Sequence, residues 1–531
     1  MTIGYVCPVL HAHLPFIRHP EYPEFLEEDW LMEALSETYL PMLEVMKGLW
    51  DDGIDFRLTM TMTPPLISML DDDLLRERYE EHLVRIRTLA EEEAHRYGGE
   101  RGELARWYVD LFSKRLWQFQ ELWGRDVVGG FKLFQDRGRL EIITCGATHG
   151  FLPLMQDVPE AVRAQIRIAV EHYRGRFGRD PRGIWLPECA YYPGVEDHLA
   201  ADGIRFFIGE RHAIEHADPR PVHGVYAPLL LPNGVAVFAR DPETSAQVWS
   251  AESGYPGDPV YREFHRDLGF DGPWSHVAPY VQPNGLRKMV GIKYHRVTGK
   301  TDDKAFYDPR LAEQKAAEHA ANFVYNRELQ ARHLAAEMGR PPLIVAPYDA
   351  ELFGHWWFEG PHFLNHMFRK IAQDSPDIEM ITPMEYLERH PEQQVGKPGF
   401  STWGAGGYAK VWLCPENEWI YSHLLPMARQ MVRLADQHPN AQGLERRALN
   451  QAARELLLAQ SSDWAFIIYT DTSVDYAVDR TRAHLSRFAA LAEGIAANQI
   501  DEGLVYALEA RDNLFPHLDY RVYRRDSSLQ H

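Results

Sequence analysis

Cysteine is scarce in this sequence and dispersed: the 531 residues hold four, Cys7, Cys145, Cys189 and Cys414. With no C-x-x-C pair and none of the density of a disulfide framework, reduced thiols in a cytoplasmic protein are the expectation. Long apolar runs are missing as well. No stretch of about 18 apolar residues occurs. The opening Met1-Thr2-Ile3-Gly4-Tyr5 carries no basic segment followed by an apolar run, so neither a membrane span nor an export signal is read here. Positive charge is the third thing in short supply. The formal net charge of −21 opposes a phosphate backbone and excludes nucleic acid in favour of a neutral or cationic partner. Internal repeats, low-complexity tracts and extended linkers are not found.

What is present is material for a large core, with 45% hydrophobic, 12% aromatic and 25% charged residues. The length predicts one large catalytic domain with a smaller companion. Short apolar runs bounded by turn residues alternate with amphipathic segments, the pattern of β/α units around a parallel sheet. Strands are expected at 3–10, 56–62, 140–145, 183–186, 205–209, 235–239, 343–346 and 378–382. A long helical stretch fills about 66–135, its Glu/Arg-rich runs reading as solvated faces. Helical periodicity disappears from about Pro219 to His295, and an inserted loop-rich subdomain is placed at about 190–265 within a catalytic region spanning 1–412. From 413 to 531 only helices are expected, at 417–438, 444–461, 474–497 and 501–512, forming a C-terminal domain.

Unusual polar residues follow the strands, where barrel and open-sheet enzymes place catalytic groups. His11-Ala12-His13 puts two imidazoles on one side of an extended segment. They are metal ligands, sugar contacts or a structural pair. His149 sits in a glycine-bounded turn after the third strand. Glu188, in Trp185-Leu186-Pro187-Glu188-Cys189-Ala190-Tyr191, is a carboxylate among apolar and aromatic groups; its pKa rises unless hydrogen bonds or cations favour the ionised form a nucleophile requires. Asp349 and Glu351 lie just past the strand 343–346. Glycoside chemistry needs two carboxylates, one attacking the anomeric carbon and one exchanging a proton with the leaving and incoming oxygens. Strand ends of one sheet can bring Glu188 and Asp349 together across the sequence. A Gly-rich turn at 401–412 carries Trp403 and Trp412, which with Trp274 and Trp249 are candidate platforms for sugar rings, although each is as readily core.

In this order the stretches resemble the sequence regions of glycoside hydrolase family 57, over residue 5 to beyond 412. Within that family they most resemble the α-1,4-glucan branching enzymes. Trp-Leu-Pro-Glu-Cys-Ala-Tyr, Asp-Ala-Glu-Leu-Phe-Gly-His-Trp-Trp and Gln247-Val248-Trp249-Ser250 with Gly254-Tyr255-Pro256-Gly257-Asp258 carry the likeness. The resemblance implies an incomplete (β/α)7 barrel with an inserted subdomain and a helical C-terminal domain that helps close the cleft. It implies Glu188 as nucleophile, Asp349 as general acid/base, and His11, His13 and His149 along the donor sugar subsite, with no metal and no cofactor. It further implies that Trp274, Trp403 and Trp412 line the cleft, and that Asp463 and Trp464 reach in from the helical domain through Ser461-Ser462-Asp463-Trp464. Ala405 stands where members of the family often carry an acid.

The partner implied is α-glucan. A covalent glycosyl-enzyme resolved by water gives amylase activity, and one resolved by a sugar 6-hydroxyl gives an α-1,6 branch; the carboxylate pair is the same. Branching is the leading expectation, with an α-amylase-like hydrolase second. A metal-dependent hydrolase using His11 and His13 and a silent glucan-binding protein are remote alternatives. In branching members the resemblance implies a flexible loop with a tyrosine near its tip. Tyr226 is the candidate for that role, in a segment, 211–241, that reads as compact.

Overall fold

The computed structural model describes residues 2–250, 254–281 and 285–525. All eight expected strands form: β1 (Gly4–Ala12), β2 (Leu58–Met62), β3 (Leu140–Ile143), β4 (Gly183–Trp185), β5 (Phe206–Gly209), β7 (Ala236–Ala239), β8 (Leu343–Asp349) and β9 (Ile378–Met380). A two-residue strand, β6 (Leu229–Leu230), pairs antiparallel with β7 and is too short to read from sequence. Parallel pairing runs β3-β2-β1-β8 and β4-β5-β7, and the Thr144–Ile184 bridge joins the two sheets through β3 and β4. The ring nearly closes where Asp241, beyond β7, donates its N–H to Val345 O in β8 at 2.9 Å. The result is an incomplete barrel of parallel strands β8-β1-β2-β3-β4-β5-β7, with β9 paired to the first residues of β1.

These strands are buried on both faces, which is why they read as continuous apolar runs rather than alternating ones. The barrel interior is packed by Val9, Ile143, Trp185, Phe206, Ile208, Phe238 and Val345, together with Cys7, Cys145 and Cys189. Burial pushes those three thiols well above their ordinary range, so they act as small apolar groups. Close packing demands glycine at Gly183, where a Cβ would stand 2.2 Å from the Phe206 ring.

Two excursions leave the barrel. The helices Asp73–Arg96 and Gly99–Trp117 pack antiparallel between β2 and β3, as the helical stretch predicts. The loop-rich insertion is displaced from its expected place. Residues 190–265 include β5, β6 and β7, so most of that span is barrel wall. The irregular excursion follows the helix Pro242–Trp249 and ends at Asp308, the cap of the 30-residue helix Pro309–Met338. Four-residue strands between Pro- and Gly-rich turns carry too little periodicity to mark the wall. Of the motif Trp249 to Asp258, residues 251–253 lie outside the described residues; Tyr255 pins its remainder to the long helix through a 2.7 Å bond to Asn322.

From Glu418 onward the chain is helical: Glu418–Gln437, Gly443–Ala459, Ser462–Thr470, Val474–Ala496 and Glu502–Arg511. The third was not foreseen, because only Gln460 and Ser461 separate it from its predecessor. Its first residue touches the barrel. Ser462 N–H donates to His149 O at 3.0 Å, and Ser461 bridges Gly150. Apolar residues of the helical part and of the barrel's outer helices form one core. No helix among the described residues is long and apolar enough to cross a membrane.

Candidate active site

β4 ends at Trp185, and the turn behind it holds Glu188 at φ 63°, ψ 23° and Cys189 at φ 48°, both left-handed. Such a conformation costs a non-glycine residue on the order of 1 kcal/mol and survives where neighbours over-determine it. Here Cys189 N–H donates to Leu186 O at 2.8 Å, Tyr191 N–H to Ser401 O at 2.9 Å, and Trp403 N–H to Glu188 O at 3.0 Å. The turn holds the Glu188 side chain, 7% exposed, among the histidines and Trp403 at the strand ends. Each carboxylate oxygen accepts one hydrogen bond at 2.8 Å, Oε1 from Ser462 Oγ and Oε2 from Trp403 Nε1. Burial raises the Glu188 pKa, and these two donors with nearby His13 work against it. Two fixed donors offset part of the burial cost of the carboxylate's charge.

Ser462 also orders the histidines. Its single hydroxyl hydrogen goes to Glu188, so toward His149 Nδ1, 2.8 Å away, the oxygen accepts. A neutral His149 then has a bare Nε2, which accepts the Nε2–H of His11 at 3.0 Å. Burial, first, and repulsion from neighbouring histidines, His149 and His13 on His11 and His13 on His149, hold both rings well below the ordinary histidine range, so both are neutral. The chain is directed: His11 to His149 to Ser462 to Glu188. Stacking fixes the planes, with His11 on Trp185 at 4.5 Å between centroids and His13 on His149 at 3.9 Å.

His13 differs from the other two. Its Nε2 is 3.1 Å from both oxygens of Asp463, and its Nδ1 is 3.0 Å from Thr63 Oγ1. Burial disfavours its charge, but Asp463 outweighs that and raises its pKa. In return, against its own burial, His13 holds Asp463 down to about 2. The pair is therefore an imidazolium and a carboxylate, and it ties β1 to the helical domain.

Asp349 ends β8 in register with His11. Burial, then the Glu351 and Glu188 carboxylates, push its pKa well above the carboxylate range, while Arg240 and His13 pull the other way. Glu351 is fixed by Tyr39 OH at 2.5 Å and by His13 N–H at 3.2 Å. Arg240 lies over the Trp403 ring at 5.2 Å and 3.2 Å from Glu210. Burial raises both carboxylates, Asp349 well above its ordinary range, while only Glu188 has two hydrogen-bond donors opposing that rise; glycoside cleavage uses such an unequal pair.

The structure brings together Glu188, Asp349, His11, His13, His149, Trp403 and Asp463. It does not bring every expected residue. Trp412 is 1% exposed, stacked on Phe151 at 4.7 Å beneath the Gly-rich turn. Trp464 is 1% exposed and donates its indole N–H to Leu458 O at 2.8 Å, inside the helical core. Neither has a free ring face for a sugar. Trp274 stands exposed on the excursion, its ring near the Arg287 guanidinium at 5.5 Å, and among the described residues it touches none of the cluster. Tyr226 is no loop tip: it is half-buried in the wall where β7 and β8 separate, its hydroxyl facing Asp241 and Gln330. The groups that sequence reasoning missed are Ser462, Thr63, Tyr39, Trp185 and Arg240. Ser462 lay within a quoted motif, but nothing marks one serine of Ser461-Ser462 over the other.

The same geometry tests the metal reading. His13, His149 and Asp463 have atoms close enough to share an ion, as do His11, Cys145 and His149. Yet the histidine nitrogens are committed to one another, to Ser462, to Thr63 and to Asp463, leaving only His11 Nδ1 unpartnered, and Cys145 keeps its proton. That donor set is spent on hydrogen bonds and fits a metal poorly.

A barrel whose strand ends bring together two buried carboxylates with unequal hydrogen bonding, ringed by histidines and tryptophan, defines an enzyme of the glycoside-processing class. The chain belongs to glycosyl hydrolase family 57. The family model matches residues 9–399, and a model described as 1,4-alpha-glucan branching enzyme, C-terminal, matches 423–523. The chain is 35% identical to a 1,4-alpha-glucan branching enzyme of Thermococcus kodakarensis, over 96% of this chain and 77% of that one. Among solved structures it is similar to an alpha-amylase of Thermotoga maritima, at 46% identity and TM-score 0.92, covering 98% of this chain and 99% of that one. It is also similar to a family 57 branching enzyme of Pyrococcus horikoshii, at 32% identity and TM-score 0.89, covering 99% and 98%.

Proposed function

We propose that this chain is a retaining 1,4-α-glucan branching enzyme with Glu188 as nucleophile and Asp349 as general acid/base. The observation that carries the chemistry is the pairing of a carboxylate holding two hydrogen-bond donors with a second whose proton is favoured by burial and by the neighbouring Glu351 and Glu188. Glu188 attacks the anomeric carbon as the bond to the leaving oxygen breaks, and Asp349 gives that oxygen its proton. A glycosyl ester remains on Glu188. Asp349, now ionised, takes the proton of an incoming 6-hydroxyl, whose oxygen displaces Glu188 and closes an α-1,6 bond with net retention. His13, the least buried of the three histidines, stands nearest the donor sugar, His11 and His149 act behind it through Ser462, and Trp403 supports the nucleophile.

Branching is supported by the C-terminal match and by relatives named for that activity. Hydrolysis is the second reading, and a structural observation favours it. The segment 211–241 folds onto the barrel, Asp218 pairing with Lys397 and Leu230 with Val395, and extends no long loop over the cleft to exclude water. The alpha-amylase similar to this chain points the same way. Incubation with amylose decides: chains released by isoamylase in excess of new reducing ends support branching, and reducing ends without new branches overturn it. A cytoplasmic setting, matching the protonated free thiols, belongs to this reading.

A further inference from the structure

Away from the Glu188 cluster, a cleft of about 950 Å³ opens on the flank of the barrel. Its sides are the helices Leu40–Asp51, Gly99–Trp117 and Gly360–Gln373 and the start of Pro309–Met338. None of the residues around Glu188 lines it. One wall is aromatic: the Trp107 ring stands 6.1 Å from Tyr307 and 5.9 Å from Phe358, with Phe306, 38% exposed, beside them. Arg262 covers one face of Phe358 at 3.7 Å and holds it in place.

The rest of the lining is polar and locked. Arg115 donates to Glu44 at 2.9 Å and to Gln118 at 2.7 Å; Arg369 donates to Asn365 at 3.0 Å and to Asp52 at 2.6 Å. Such pairs offer fixed donors and acceptors to a ligand without charging it. Aspartate and glutamate outnumber lysine and arginine seven to four in the lining, which repels phosphates and other anions. Fixed aromatic rings beside ion-paired, hydrogen-bonding side chains suit a polyhydroxylated, uncharged chain. An enzyme of a polymer gains from holding it at a second point, because the effective concentration of the chain at the active site rises.

We propose that this flank cleft is a second α-glucan-binding site, with Trp107 and Phe306 as the rings on which glucose units lie. The proposal rests on the reading of the chain as an α-glucan enzyme, and the test separates the two. In a Glu188→Gln background, calorimetric titration with maltoheptaose should show a binding event that weakens about tenfold in Phe306→Ala and in Trp107→Ala. With Glu188 intact, both variants should turn over maltoheptaose within about twofold of the parent while their apparent KM for amylopectin rises about tenfold. Phe306 is exposed, so its variant remains informative should Trp107→Ala lose structure. Maltoheptaose binding and amylopectin KM unchanged in Phe306→Ala overturn the second site. Absence of turnover on any α-glucan by the unmodified enzyme would instead overturn the catalytic reading.

Discussion

Two buried networks in this molecule use the same side chains to opposite ends. At the junction of barrel and helical domain, Glu188, His149, His11 and Ser462 form a directed chain that ends on the partly exposed Glu188 carboxylate. Within the helical domain, Glu455, His484 and Asp512 also lie close enough to share an ion, but they are sealed. His484 meets Glu455 at 2.7 Å and Arg487 meets Asp512 at 2.7 Å, with Gln451 on the other Glu455 oxygen at 2.8 Å. In the second network charge is answered by charge from within. In the first, the anion is answered by neutral donors, leaving it able to form a bond. Residue type does not separate a reactive site from a structural one here; access and the identity of the hydrogen-bond donors do.

Substitutions should split along that line. Glu188→Gln should lower kcat by about 10⁴-fold or more with the melting temperature nearly unchanged. Asp349→Asn should cost about 10²- to 10⁴-fold on α-1,4-glucan, and far less on a donor such as maltosyl fluoride, whose leaving group needs no proton. Glu455→Ala should do the reverse, losing about 3 kcal/mol in denaturant unfolding while kcat at low temperature changes little, because it leaves the buried His484 Nδ1 and the Gln451 amide without their partner. Equal loss of activity and stability in all three would erase the distinction between the networks.

Ser462→Ala tests the directed chain. Without its donor the Glu188 anion is less favoured, so the acidic limb of the kcat/KM profile should move to higher pH by about one unit, with Ser462→Thr restoring it. The smallest effect concerns the His13–Asp463 pair. Asp463 is held down to about 2, against about 3.9 for an unfolded aspartate. A depressed folded pKa stabilises above the unfolded value and is lost as pH falls through the folded one. The stability gap between the parent and Asp463→Asn, on the order of 2 kcal/mol, should therefore be fullest from about pH 5 up to the raised His13 pKa, shrink above it as the imidazolium is lost, and vanish near pH 2.

Much of this architecture was legible. Eight apolar runs bounded by turns became eight strands, and polar residues beyond 11, 148, 187 and 348 fell at strand ends, because buried parallel strands leave unbroken apolar signatures. What sequence could not yield was reach. Trp412 and Trp464 look like platforms, yet each turns inward, where Phe151 and the Leu458 carbonyl meet it. Tyr226 lies in a segment whose pairing to β7 and to residues 395–397 pins it to the wall, a long-range contact without local signal. Ser462 matters only because the helical domain lands on the His149 turn, which no periodicity foretells.

The central claim is that Glu188 carries the sugar. Asp349→Asn incubated with maltosyl fluoride should accumulate the glycosyl ester, since the group that activates the incoming hydroxyl is gone. Peptide mapping by mass spectrometry should find one added maltosyl group on the peptide containing Glu188. A maltosyl group on any other residue, or product of inverted anomeric configuration with no adduct, would contradict the account.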